Sequence, residues 1–152
     1  MGTLEHIIAE HPFCSSFAAE HCKLVAGCAR NVRFEAGSYL ARENDPADTF
    51  FLLRSGKVAI ETSSPSGRPL VVGTLGAGDI VGASWLVPPY RWIFDARAAG
   101  PVRAIVLDAT CMRAKCEADH DLGYAMMKQF VPTVVSRLQA ARLQTLDMYG
   151  VA

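Results

Sequence analysis

The residues best suited to chemistry crowd into one stretch, Gly76-Ala77-Gly78-Asp79-Ile80-Val81-Gly82-Ala83-Ser84-Trp85-Leu86-Val87-Pro88-Pro89-Tyr90-Arg91-Trp92-Ile93-Phe94. Glycines let backbone approach a ligand closely, and aromatic rings supply stiff apolar walls. Val81, Gly82, Ala83, Ser84, Trp85, Tyr90, Arg91, Trp92 and Ile93 are therefore the candidate ligand-binding residues. The rings would stack on a flat or apolar molecule, and Arg91 would take an acidic group. The competing reading is a tight loop whose aromatics fill the core from outside. Spacing alone leaves both open.

Catalytic constellations are not apparent. A metal centre in a sheet needs several His or carboxylate ligands on neighbouring strands. The four histidines, His6, His11, His21 and His120, all fall in segments that read as helical. Ser84 has no histidine nearby in sequence and lies in no Gly-x-Ser-x-Gly turn. Asp45, Asp48, Asp79 and Asp95 read as turn and cap residues. The expectation is a non-enzymatic protein with no metal site.

The five cysteines, Cys14, Cys22, Cys28, Cys111 and Cys116, match no zinc spacing and are odd in number. They read as small core residues of a reducing, cytoplasmic compartment. Cys111 and Cys116, five apart on a helix, would diverge too far to pair.

These residues must be positioned by a chain of 152 residues, enough for one domain with one core. Apolar residues make up 51% and the mean hydropathy is +0.18, which favours a partner subunit covering part of the surface. Fifteen basic and fifteen acidic residues cancel. No basic run suggests a nucleic-acid surface, and no apolar run reaches the roughly 18 residues of a membrane span. Met1 to His6 carry no basic leader and no acylation signal.

Residues 3–28 read as a helical lead broken at His11-Pro12, with Phe13, Phe17, Ala18, His21, Leu24 and Val25 recurring at helical spacing and Gly27 as the stop. Residues 29–108 change to short apolar runs with turns every eight to twelve residues. The runs are Val32–Phe34, Tyr39–Ala41, Phe50–Leu53, Val58–Ile60, Leu70–Val72, the short one after Gly78, Trp92–Ala98 and Val102–Leu107. That pattern predicts an antiparallel sandwich, jelly roll or barrel. Asp108 starts a helix to about Ala118, and Asp119 or Asp121 caps a longer one, 120–148, with Pro132 inside it. The long helix carries more apolar surface than one sheet face needs. The whole reads as a single domain, 1–152, in three parts: helical lead 3–28, β region 29–108 and C-terminal helices 109–148.

On this pattern the chain resembles the cyclic nucleotide-binding domain of the catabolite-activator and fumarate–nitrate regulator superfamily, in a stand-alone form without the DNA-binding domain. The motifs are Phe34-Glu35-Ala36-Gly37, Arg42-Glu43-Asn44-Asp45-Pro46-Ala47-Asp48, Phe50-Phe51-Leu52-Leu53-Arg54-Ser55-Gly56-Lys57-Val58 and Leu75-Gly76-Ala77-Gly78-Asp79-Ile80-Val81-Gly82. The resemblance covers about residues 12–150. It implies a mainly β fold, a double-stranded β-helix or jelly roll, with N-terminal helices and a long C-terminal helix that pairs with its twin in a homodimer through 120–148. Gly82 to Trp85 would then be the phosphate-binding cassette, and Arg137, Gln139 or Arg142 the counterparts of pocket-closing residues on the long helix.

The resemblance breaks at that cassette. Members that bind cyclic AMP place a glutamate after the glycine for the ribose hydroxyl, and here Ala83 stands there. They place an arginine, then Ser or Thr, where this chain has Trp92 and Ile93, with Arg91 one residue early. In a regular strand that slip would turn Arg91 to the opposite face. Charged hydrogen bonds contribute about 1.5–3 kcal/mol each, so losing two should weaken cyclic AMP binding severely. A cyclic nucleotide thus remains one ligand among others. Two functions are expected: a small-molecule-sensing regulatory domain with an atypical cassette, or a dimeric interaction module whose pocket its own aromatics fill. Neither implies direct DNA binding or a membrane.

Overall fold

The computed structural model describes residues 3–148. Met1, Gly2 and residues 149–152, the extremes of the expected single domain, lie outside the described residues. The described chain divides into two compact units that meet between Lys115 and Cys116.

The first unit begins with α1 (Leu4–Glu10) and α2 (Ala19–Ala26). The Thr3 hydroxyl accepts the His6 amide at 3.2 Å, an N-cap for α1. The sequence predicts that the helical spacing resumes at Phe13; instead residues 11–18 are turns, and the second helix waits until Ala19. Pro12 brings no amide to a helix, and the Phe13 amide donates to Nδ1 of His11 at 3.1 Å rather than to a carbonyl.

Eight strands follow: β1 (Ala29–Phe34), β2 (Tyr39–Ala41), β3 (Thr49–Ser55), β4 (Val58–Ser63), β5 (Pro69–Leu75), β6 (Ile80–Val81), β7 (Asp95–Ala98) and β8 (Val102–Asp108). They form two antiparallel sheets, β1-β8-β3-β6 and β2-β7-β4-β5, the jelly roll expected from the turn spacing. Cross-strand partners share a face. In the first sheet Val32 and Phe34 on β1, Ala104 on β8, Leu53 and Phe51 on β3 and Val81 on β6 therefore line one apolar face, turned toward the second sheet. The other face carries Asn31, Arg33, Arg103, Ile105, Phe50, Leu52, Arg54 and Ile80. In the second sheet Val58, Ile60, Ala96 and Ala98 face the interior, while Glu61 on the opposite face lies buried under Arg97, which binds it through Nη2 at 2.8 Å and Nε at 3.1 Å.

One predicted strand is shorter than its sequence suggests. Trp92–Ala98 alternates, yet pairing starts only at Asp95. Residues 90–92 are bonded instead to the 42–48 turn: Ala47 N–H to the Tyr90 carbonyl (2.7 Å), Trp92 N–H to the Asp45 carbonyl (2.9 Å) and Asn44 N–H to the Trp92 carbonyl (2.7 Å).

The cysteine reading holds for the buried Cys14 and Cys22 and is corrected for one pair. Cys28 and Cys111 form a disulfide, with Cα atoms 5.7 Å apart, and Cys14, Cys22 and Cys116 are free. The cause is the β1–β8 register, which sets Ala29 opposite Leu107 and so brings the residue before β1 beside the first turn of the next helix. Burial pushes the Cys14 thiol up to about 12.

That helix is α3 (Ala109–Ala118), capped by Asp108, whose carboxylate accepts the Cys111 amide at 2.8 Å. In the second unit α4 (His120–Met148) starts under the Asp119 carboxylate, which accepts the Leu122 amide at 3.2 Å. Leu122, Met126 and Phe130 are buried, four apart. Beyond them Val131, Val134, Val135, Leu138, Leu143 and Leu146 are exposed. Among the described residues no helix is long and apolar enough to cross a membrane.

Candidate functional site

The approach to the cassette is a braced turn. The Asp79 carboxylate accepts the Gly76 amide at 2.8 Å, while the Gly78 amide and His11 Nε2 both reach the Leu53 carbonyl, at 3.0 and 2.9 Å. Because Nδ1 of His11 accepts the Phe13 amide, Nε2 must carry the ring proton and donate to Leu53. The neutral ring satisfies both bonds, and burial, the main cause, holds its pKa below the usual 6.5.

From there Ile80 and Val81 pair with Leu52 and Phe51 as β6, Gly82 turns the chain at φ +104°, and Ser84–Leu86 make one 3-10 turn. Gly82 is required twice. That φ disfavours any L side chain, and a Cβ there would lie 2.6 Å from Cη2 of Trp92 and 3.3 Å from Cβ of Phe50. The Trp92 ring thus rests directly on the glycine backbone, 7% exposed, with its centroid 6.4 Å from that of Phe51. Phe34 meets Phe51 edge-on at 5.7 Å and extends the same apolar layer.

Trp85 occupies the other side of the sheet. Phe50 and Phe51 are consecutive on β3 and point to opposite faces, and Trp85 stacks on Phe50 at 4.3 Å and 4°. It is 1% exposed. Arg113 of α3 donates from Nη1 to the Trp85 carbonyl at 2.7 Å and lies over the Tyr90 ring, 4.4 Å from its centroid. One guanidinium therefore pins both ends of the loop.

Of the nine residues singled out by sequence, five fall into two groups, while Ala83, Ser84, Arg91 and Ile93 join neither. Val81, Gly82 and Trp92 come together beneath the apolar layer, and Trp85 and Tyr90 come together through Arg113. Ile93 is 63% exposed. Arg91 lies in an isolated bridge with Pro46 rather than in a regular strand, so strand alternation does not decide its face; its Nη1 donates to the Asn44 carbonyl at 3.0 Å. The Ala83 side chain offers no acceptor, and its carbonyl takes the Leu86 amide. Phe50, Phe51 and Arg113 were missed as site residues. The first two stood within a quoted motif, whereas nothing in the sequence linked Arg113 to a loop 28 residues away. Among the described residues no three His, Cys, Asp or Glu gather to hold a metal ion.

Comparison with known proteins gives these observations a context. The family model of the cyclic nucleotide-binding domain matches residues 31–119. A CRP-like cAMP-activated global transcriptional regulator of Mycobacterium tuberculosis is 29% identical over 83 residues, which make up 55% of this chain and 37% of the regulator. The match thus spans just over a third of that relative's length. Among solved structures, one described as a cyclic nucleotide-binding protein from Geobacter metallireducens superposes with a TM-score of 0.79 at 30% identity, over 91% of this chain and 99% of that one. The N-terminal domain of a transcriptional regulator from Streptomyces coelicolor shares the fold at 19% identity, with a TM-score of 0.68 and coverage of 89% and 94%.

Proposed function

Because the chain belongs to the cyclic nucleotide-binding domain family, we propose that it is a non-enzymatic, cytoplasmic regulatory module whose atypical cassette is poor for cyclic AMP because its own Trp92 fills the space beside Gly82. The observation that carries this reading is the approach of the Trp92 ring to the Gly82 backbone, too close for even a methyl group. A ligand phosphate could reach those amides only after the ring left. Leaving would expose a large buried aromatic surface, which costs several kcal/mol. Ala83 offers nothing to a ribose hydroxyl in return. The module signals as a homodimer through α4 and makes no DNA contact of its own. Supporting the dimer, Val131, Val134, Val135 and Leu138 recur at three- and four-residue spacing and are exposed.

A second reading keeps the module a sensor, of a molecule other than cyclic AMP. It is favoured by the apolar rim of Val87 and Ile93, each 63% exposed, beside Tyr90 and Arg91. The test for both is a thermal-shift screen with cyclic AMP, cyclic GMP, cyclic dinucleotides and metabolites, alongside light scattering of the wild type and Leu138→Lys. The first reading expects no cyclic nucleotide to stabilise the fold, a wild-type dimer and a monomeric variant. A metabolite that stabilises the wild type but not Arg91→Ala would select the second. Stabilisation by cyclic AMP near micromolar affinity would reject both.

A further inference from the structure

We infer that the outer face of the β1-β8-β3 sheet holds a second binding site, on the opposite side of that sheet from Trp92, for a small multivalent oxyanion of the phosphate-ester or pyrophosphate class. Asn31, Val32, Arg33, Arg54 and Arg103 line a concavity of about 280 Å³. The register explains the convergence. Arg33 on β1 is the direct cross-strand partner of Arg103 on β8, so their side chains leave the same face. Asn31 is two residues before Arg33 and shares that face. Arg54 alternates with Leu52, whose partner Ile105 is in turn opposite Asn31, and its Nη1 donates to Asn31 Oδ1 at 3.1 Å.

Like charges placed directly opposite on adjacent strands destabilise a sheet. Here a third guanidinium joins the pair, and among the described residues no carboxylate lies within ion-pair distance of Arg33, Arg54 or Arg103. By contrast, Arg42 is paired with Asp95 and Arg97 with Glu61. Three uncompensated forks around one concavity suit an anion with several oxygens, since each guanidinium offers paired donors to a tetrahedral or planar oxyanion. A guanidinium only donates, so the Asn31 amide must turn Oδ1 to Arg54, which leaves its Nδ2 as a further donor. Scale decides between a small anion and a nucleic acid: three cations are well short of the roughly 6–10 phosphate contacts typical of duplex binding, and the chain is neutral overall.

The experiment is calorimetric titration of the whole protein with sodium pyrophosphate, referenced to sodium chloride at equal ionic strength. Arg33→Gln, Arg103→Gln and, as a charge control on the turn between β4 and β5, Arg68→Gln are run in parallel, with melting curves for each. The expected result is saturable, near-stoichiometric binding to the wild type, weakened about tenfold or more by either substitution in the concavity and unchanged by Arg68→Gln. Arg103→Gln should also raise the melting temperature in anion-free buffer by removing the repulsion. Absence of saturable binding, binding by Arg33→Gln and Arg103→Gln equal to wild type, or an equal loss in Arg68→Gln would overturn the assignment, the last by reducing it to nonspecific charge. Tight binding of a single-stranded DNA oligonucleotide that Arg33→Gln and Arg103→Gln abolish would overturn the small-ligand assignment. None of these outcomes depends on whether the cassette accepts a nucleotide.

Discussion

Substituting Gly82→Ala should destabilise the roll through two separable causes, and separating them tests the packing at the cassette. The backbone cause is φ +104°, which for a non-glycine residue costs about 1–3 kcal/mol. The steric cause is the added methyl, 2.6 Å from Cη2 and 3.2 Å from Cζ3 of Trp92. Overpacking of this kind costs about 1–3 kcal/mol, so the single variant should lose about 2–6 kcal/mol, a large part of a typical domain's stability. Trp92→Leu removes the ring while keeping an apolar filler, and should cost less than the about 3–5 kcal/mol of a Trp→Ala change. In that background the new methyl meets no indole, so the backbone cost and the 3.3 Å contact with Cβ of Phe50 remain. Urea unfolding of the two single variants and the double variant should therefore give a coupling of about 1–3 kcal/mol, the double variant being more stable than the sum predicts, with m-values unchanged. Additivity within about 0.5 kcal/mol would mean that Trp92 does not rest on Gly82, and the reasoning would fail.

Three further outcomes follow from the same geometry. Because burial depresses His11 and its Nδ1 accepts the Phe13 amide, the unfolded chain binds the proton more readily than the fold does. Stability should then be full above about pH 6.5 and fall as the pH drops below it, with Asp79 favouring the proton and Arg54 opposing it; His11→Gln should flatten that slope in pH-dependent urea melts. Thiol titration of the oxidised, denatured protein should find three free thiols, rising to five on reduction, and Cys28→Ser with Cys111→Ser should cost about 2–4 kcal/mol because the bridge closes a span of 83 residues. Arg113→Ala should cost about 1.5–3 kcal/mol through the charged hydrogen bond to Trp85, and amide exchange should accelerate between Leu86 and Tyr90.

What could be read from the sequence was whatever leaves a local mark. Turn clusters between short alternating runs gave the roll, Asp108 marked one helix start and Asp119 or Asp121 the other, and the Asp108 and Asp119 carboxylates each accept an amide of the following first turn. The cassette run was visible as glycines and aromatics, but not which ring lies inside. That depends on β3 sending Phe50 and Phe51 to opposite faces, so that Trp85 packs outside and Trp92 within. The disulfide was hidden because its cysteines meet only through the β1–β8 register, across 83 residues. The arginine cluster was hidden likewise: three residues from three strands form no basic run. Residues 11–18 misled because Phe13 and Phe17 keep a helical spacing that the Pro12 backbone cannot honour; their rings still meet, 5.9 Å apart.

Trp85 and Trp92 are the two tryptophans of the chain, both buried at the cassette, so intrinsic fluorescence reads the central claim directly. Titration with cyclic AMP to millimolar concentration should leave the emission maximum and acrylamide quenching as they are in the free protein. A saturable red shift with increased quenching, showing Trp92 driven from Gly82 by the nucleotide, would contradict it.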